Sequence, residues 1–355
     1  MSAISKIEWT DRTWNPVRGC SIVSPGCVNC YAMKQAHRFS GPGRAYEGLT
    51  KQTKAGPQWN GDIRLVEEAL MEPLSWRKPA RVFVNSMSDL FHEGVPDEFI
   101  DRVFAVMHLA ERHTFQILTK RANRMQEYVT SRTECDPSHV AIWTEQGPRQ
   151  RDGVSDGLKY RVPWPLPNVW LGVSAEDQQR ADERIPLLLQ TPAAVRFVSA
   201  EPLLGPVDLM RWMPHQAAYR IHAPSRSGKQ QSQCVECGRV TAGFERECRT
   251  IEMGDGPDWV IVGGESGPGA RPCGVAWMRG IVQQCQSAGV SVFLKQLGAR
   301  PRLGGACDSS FTNPVRVTAS SGGVDIVLQN RKGGDPAEWP ADLRVREFPR
   351  SAVPR

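Results

Sequence analysis

Three cysteines lie close together near the start of the chain, in Gly19-Cys20-Ser21-Ile22-Val23-Ser24-Pro25-Gly26-Cys27-Val28-Asn29-Cys30-Tyr31-Ala32, at the spacing C-x6-C-x2-C. Glycines and a proline punctuate the stretch, which predicts a loop. A loop leaves the backbone free to turn each thiolate toward one centre. Three thiolates with no fourth cysteine nearby suit a [4Fe–4S] cluster whose remaining iron is open to an outside ligand. They equally suit a structural zinc site, which takes four protein ligands, with His37 as the fourth. A second group, Cys234-Val235-Glu236-Cys237 followed by Cys248, has half the spacing of a zinc ribbon. Structural zinc is the first reading there, completed by His222 or Cys273. Free thiols come second and another iron–sulfur cluster third. A zinc ion would staple a segment too small to build its own core.

What must position the first loop is a repeating pattern of apolar strands and amphipathic helices. Arg81–Asn85, Phe115–Leu118, Val169–Val173, Val195–Val198, Trp259–Val262 and Ser291–Leu294 are continuous apolar runs of the kind buried on both faces. Ile7–Thr10 reads as a short first strand leading into the cysteines. Helices are predicted over 31–38, 63–72 and roughly 177–189, and a further stripe runs Val275, Met278, Ile281, Val282, Cys285. Asp97 is expected to cap a helix that buries Phe99, Ile100, Val103, Phe104 and Met107. This alternation predicts an α/β fold with a parallel sheet and helical crossovers. Six to seven units make a partial or closed (β/α) barrel, with an open doubly wound parallel sheet as the alternative.

Each strand runs directly into polar residues: Asn85, Ser86, Ser88 and Asp89; Thr119, Lys120 and Arg121; Ser174, Glu176 and Asp177; Ser199 and Glu201; Glu265 and Ser266; Lys295 and Gln296. In a β/α barrel all of these lie on the C-terminal face, where ligands bind. A charged pocket beneath the cysteine loop is therefore expected. Plainer readings stand beside it: a turn or cap role for Asp89, an exposed basic pair at Lys120 and Arg121, helix N-terminal charges for the glutamates, and a tight turn at Gly263–Gly267. The glycines of that turn would also let backbone approach a ligand.

The chain has 355 residues, enough for one large α/β domain with insertions or for two domains. The barrel core is expected over 1–298, with insertions at 130–165 and 211–257. Residues 299–355 form a C-terminal extension on the core, with a hairpin around 315–328. Residues 40–61 read as loop. No apolar run is long enough to cross a membrane and the first ten residues do not read as a signal peptide, so a cytoplasmic protein is expected. In that reducing compartment its ten cysteines are metal ligands or buried thiols. A net charge of +6 permits a nucleic-acid or nucleotide partner without demanding one. Arg344 and Arg346 read as surface charge, and His92, His108 and His113, which lack ligand spacing, as structural.

The sequence resembles a phage-associated family of uncharacterised three-Cys-motif proteins, and through it the radical S-adenosylmethionine (SAM) enzymes. The matching stretches are Trp14–Ala32, Val84–Phe91, Leu118–Arg121, Gly172–Glu176, Ser199–Pro202, Gly263–Gly267 and Asp342–Pro349. The cysteine loop is three residues longer than the C-x3-C-x2-C most often found in radical SAM enzymes. The resemblance implies that Cys20, Cys27 and Cys30 hold a [4Fe–4S] cluster whose open iron binds SAM. Ser86, Ser88 and Asp89 would meet the amino-acid end of SAM, and Lys120 and Arg121 a carboxylate or phosphate. Ser174, Glu176, Ser199 and Glu201 would bond to ribose or substrate, and Glu265 would face the pocket. No residue is assigned a catalytic role. A nucleic acid or nucleobase substrate, a flavodoxin- or ferredoxin-like reductant and a separately encoded partner follow from the same resemblance. The contrasting reading is a non-catalytic, metal-stabilised nucleic-acid-binding accessory protein.

Overall fold

The computed structural model describes residues 5–133, 164–214, 231–233, 240–242, 256–304, 311, 316–320 and 323–349. Seven strands make one sheet: β1 (Arg12–Trp14), β2 (Arg81–Val84), β3 (Thr114–Thr119), β4 (Val169–Ser174), β5 (Val195–Ala200), β6 (Trp259–Gly263) and β7 (Ser291–Gln296). Every pairing is parallel and the strands lie side by side in chain order. The order never reverses, so the chain winds in one direction. The sheet curls into a half-barrel, and the doubly wound alternative is excluded. The principal crossover helices are α1 (Tyr31–Arg38), α2 (Asp97–Leu109), α3 (Ala122–Thr133), α4 (Gln178–Gln190) and α5 (Val275–Ala288).

Strand alternation sorts the side chains into two cores. Val82, Val84, Phe115, Ile117, Leu171, Val173, Val260 and Val262 pack toward the helices. Phe83, Trp170, Phe197, Trp259, Ile261 and Phe293 point the other way and fill the concave side with Trp9. Trp259 lies edge-on to Trp9, Trp170 and Phe293 at centroid distances of 6.2, 5.9 and 6.1 Å. The lower part of the half-barrel is thus a solid aromatic floor.

Several local expectations are corrected. Residues Ile7–Thr10 are not a strand; the first strand begins at Arg12. The chain bends there because the Trp9 ring turns into the floor, 4.7 Å from Phe83, while Asp11 accepts from Arg81 N and Nε at 2.8 and 3.1 Å. Residues 40–61 hold an antiparallel hairpin, Thr50–Thr53 against Gly56–Trp59, whose polar strands give no apolar alternation to read. Residues 63–72 begin with a two-residue strand, Arg64–Leu65, before the one-turn helix Glu67–Leu70. Asp97 is the first residue of α2 rather than its cap, which is Pro96, and its carboxylate pairs with Arg124 and Arg132. Helix α3 runs to Thr133, so its last turn occupies the start of the expected insertion at 130. It buries Ala122, Met125, Tyr128 and Val129. The C-terminal hairpin forms from Arg316–Ser320 and Gly323–Val327. Among the described residues no helix is long and apolar enough to cross a membrane.

Candidate functional site

The cysteine loop follows β1 almost at once, which places it at the C-terminal edge of the sheet. Asn85 turns the end of β2 beneath it with φ +58°, a left-handed conformation that asparagine tolerates. Its Oδ1 accepts from Val17 N at 3.3 Å, and its Nδ2 is buried with no protein partner. Ser86 Oγ donates to Asn15 Oδ1 at 3.2 Å, and Ser88 Oγ to Val17 O at 2.7 Å. These two serines hold the β1 exit in place.

Four carboxylates clasp the loop, Glu176 and Glu265 directly and Asp89 and Glu93 through Arg121. Asp89 accepts from Phe91 N, Thr119 Oγ1, Lys120 N and Arg121 Nη1 at 2.8–3.2 Å. The fixed Arg121 guanidinium donates to Ser21 Oγ at 2.6 Å and approaches Cys20 Sγ at 3.9 Å. Glu93 accepts from its Nε at 3.0 Å. Glu176, fully buried, accepts from Gly26 N at 3.2 Å and from Arg184 Nη1 at 2.9 Å. Burial pushes its carboxyl pKa up, but Lys120 and Arg184 outweigh that and hold it below its ordinary value. Glu265 accepts from Asn29 Nδ2 at 2.9 Å and from Arg271 at 2.6–3.0 Å, and Arg271 Nη1 donates onward to Pro25 O at 2.9 Å. Here too burial raises the pKa, and the bonds from Arg271 and Asn29 bring it below the ordinary value.

Of the nine strand-end residues read as cofactor contacts, Ser86, Ser88, Asp89, Glu176 and Glu265 thus have protein partners that position the loop. The rest lie along the sheet's C-terminal edge. Lys120 Nζ donates to Ser174 Oγ at 3.0 Å, and Lys295 Nζ meets Glu201 Oε1 at 2.6 Å, with both side chains of that ion pair mostly buried. Ser199 is buried beside Ser174, its register partner on β5. Arg184, Arg271, Asn29 and Ser21 carry no role that the sequence alone assigns. Arg184 was the findable one, since it interrupts the buried face of α4 between Ala181 and Ile185. Arg271 lies in a Gly/Pro loop with no periodicity to mark it.

The glycines of Gly263–Gly267 have protein neighbours of their own. A Cβ at Gly264 would lie 2.3 Å from Leu297 O, and one at Gly263 would meet the Glu201 side chain at 3.3 Å. They allow β6 and β7 to part tightly at the sheet edge, which is the turn reading.

All three thiols are half-buried. Burial raises Cys20 to about 12, with Asp89 pushing the same way, Arg121 opposing, and Cys30 and Cys27 adding their charge. Burial likewise raises Cys30, which also feels Lys120 and Cys27. The three thiols therefore share one electrostatic neighbourhood with two cations. Among the described residues no set of three His, Cys, Asp or Glu side chains is arranged to hold a metal ion. The donors present for a thiolate-bound group are the three cysteines of one clasped loop, with Arg121 acting on Cys20 and Lys120 on Cys30 to favour the thiolates. His37, the fourth zinc ligand considered, bonds through Nδ1 to Thr50 Oγ1 at 3.0 Å. His92 Nδ1 accepts from Gly94 N at 3.1 Å, so its Nε2 carries the proton facing Ser21 Oγ, also at 3.1 Å. Cys273 belongs to the apolar core, where burial pushes its thiol up to about 12. Cys234, Cys237, Cys248 and His222 lie outside the described residues.

The family described as "Protein of unknown function (DUF5131)" has a model that matches residues 4–324. No curated protein and no solved structure matches the chain.

Proposed function

The chain belongs to the DUF5131 family, and we propose that it is a radical SAM-type iron–sulfur enzyme acting on a nucleic acid or nucleobase. The phage association and the kinship with radical SAM enzymes implied by its motifs are part of this proposal. The observation that carries it is the placement of the three-cysteine loop. The loop leaves the first strand of a parallel half-barrel and is clasped by Glu176, Glu265 and the Asp89–Arg121 pair to the strand ends that carry Lys120, Ser174, Glu201 and Lys295.

Cys20, Cys27 and Cys30 would hold the [4Fe–4S] cluster. When bound, it would supply one electron to SAM, whose cleavage yields a 5′-deoxyadenosyl radical able to abstract hydrogen. The chain's own residues would bind and shield. Lys120 and Lys295 offer ammonium donors to a carboxylate or phosphate, and Glu201 offers an acceptor to a hydroxyl or ammonium. The aromatic floor excludes water from below. A flavodoxin- or ferredoxin-like protein would deliver the electron, and zinc would occupy the Cys234, Cys237 and Cys248 group.

The test is anaerobic reconstitution with iron and sulfide, then electron paramagnetic resonance of the reduced protein with and without SAM. A [4Fe–4S]⁺ signal that changes on adding SAM is expected. A colourless protein holding stoichiometric zinc and taking up no cluster would sink the radical mechanism and leave the metal-stabilised nucleic-acid-binding protein in its place.

A further inference from the structure

Beside the cysteine loop, residues 31–66 carry six basic residues (Lys34, Arg38, Arg44, Lys51, Lys54, Arg64) against two acidic ones, a net of 6 − 2 = +4 out of +6 for the whole chain. The two acids are exposed as well and bond only locally: Glu47 accepts from Gly43 N, and Asp62 from Asn60 Nδ2. Arg64 is spent on the carbonyls of Ala45 and Glu47. Arg38, Arg44, Lys51 and Lys54 are exposed. None of the four has a carboxylate within ion-pair distance among the described residues, in contrast to Arg121, Arg184, Arg271 and Lys295.

Aromatic and apolar groups share this region. Helix α1 buries Ala32, Met33 and Ala36, which leaves Tyr31, Gln35 and Arg38 along its outer stripe. Tyr31 is 53 % exposed although its hydroxyl is fixed to Ser86 O at 2.6 Å, so the ring is held rigid with a face open. Phe39 closes the helix, 46 % exposed. With Ile22, Val23 and Val28 these make five of the nine large hydrophobic side chains exposed among the described residues, all within 22–39. Isolated apolar exposure is ordinary, but this concentration is not.

We propose that α1 and the hairpin Thr50–Trp59 form a docking face for single-stranded nucleic acid, with unpaired bases stacked on Tyr31 and Phe39 and phosphates against Arg38, Arg44, Lys51 and Lys54. Charge complementarity selects the occupant: unpaired cations match a polyanion, and a rigid open ring matches a base face that a duplex does not present. Tyr31 links this face to the strand ends through its bond to Ser86 O, so a base stacked on it is beside Cys30. The inference rests on the proposed function for its substrate class and deepens it by naming the surface and the strandedness.

The test is fluorescence anisotropy of a labelled single-stranded DNA of about 12 nucleotides, a length within the range such sites cover, on the full chain as purified and after reconstitution. Binding that weakens steeply with salt is expected. The combined Arg38→Ala, Lys51→Ala and Lys54→Ala variant should flatten the slope of log affinity against log salt by about 2, at roughly 0.7 per phosphate contact. Tyr31→Ala should weaken binding about tenfold with the slope unchanged, while Tyr31→Phe keeps the ring and most of the affinity. Arg77 and Lys78, exposed ahead of β2 at the opposite end of the sheet, supply the control. If Arg77→Ala/Lys78→Ala weakens binding as much as the triple variant, or if duplex DNA binds as well as the single strand, the face is not the site and the proposal falls. Binding is read independently of the cluster signal, so loss of one leaves the other standing.

Discussion

Glu265 is legible in position from the sequence, whereas its protein partners are not. The sequence put a carboxylate just past β6, and the structure keeps it there, but its partners are Arg271 and Asn29. Neither partner is near it in any periodic pattern, and Asn29 is 236 residues away. The same holds for Asp89, whose clasp on Arg121 could not be inferred from spacing. Strand-end polarity is visible in a sequence, whereas the choice between binding a ligand and bracing a loop depends on which side chains fold back onto it. The bracing role of Glu265 makes a pH-dependent prediction. Its folded pKa lies below the ordinary 4.5, so its contribution is complete above that value and is lost as pH falls through the folded one. Glu265→Gln should cost about 2 kcal/mol near neutral pH, the scale of a hydrogen bond to a charged group. The gap to the parent protein should narrow below pH 4.5. Urea unfolding across a pH series measures it, and a gap that persists unchanged into acid would show that the carboxylate charge is not what braces the loop.

Among the elements, the long buried strands and the helices facing them were readable because continuous apolar runs and 3.6-residue stripes are strong signals. The Thr50–Trp59 hairpin and the bend at Trp9 were not, because their shape is set by what they pack against. Gly172 shows the same dependence inside a strand. It sits mid-β4 in a run that reads simply as apolar, yet a Cβ there would lie 2.5 Å from the Phe197 ring. That ring cannot step aside: Phe197 is fully buried against Trp259 at 5.7 Å. Gly172→Ala should therefore cost about 2 kcal/mol, a typical penalty for overpacking. Adding Phe197→Leu should recover part of it, with a coupling of about 1 kcal/mol in a double-mutant cycle. Strict additivity of the two changes would mean that the glycine answers to something other than the ring.

At the scale of the whole molecule, a half-barrel has a gap that a closed barrel lacks, and both β1 and β7 are sheet edges. Exposed edges invite pairing with other chains. Here the C-terminal segment covers one edge: Leu294 N donates to Val345 O at 2.9 Å and Glu347 N to Val292 O at 3.0 Å, antiparallel to β7. Phe348 then turns into the gap, 5.4 Å from both Trp259 and Phe293, with the Arg81 guanidinium 4.2 Å over its ring. Arg81 belongs to β2 and Phe293 to β7, so one ring ties the early part of the sheet to its last strand. Ile7 packs into the same cluster from the N-terminal side. Cutting the chain before Val345 should unpair β7 and uncover the aromatic floor, and the product should leave the parent's elution peak for aggregates in size-exclusion chromatography. Phe348→Ala keeps the edge covered and removes only the ring. It should elute with the parent while losing about 2 kcal/mol in urea unfolding, below the usual range for a fully buried phenylalanine because Phe348 is only half-buried. A truncated chain that eluted with the parent and was as stable would show that the tail merely lies on the sheet. If it behaves as expected, the half-barrel is completed by its own termini at the end away from the cysteines, which leaves the C-terminal rim open for the loop and whatever docks beside it.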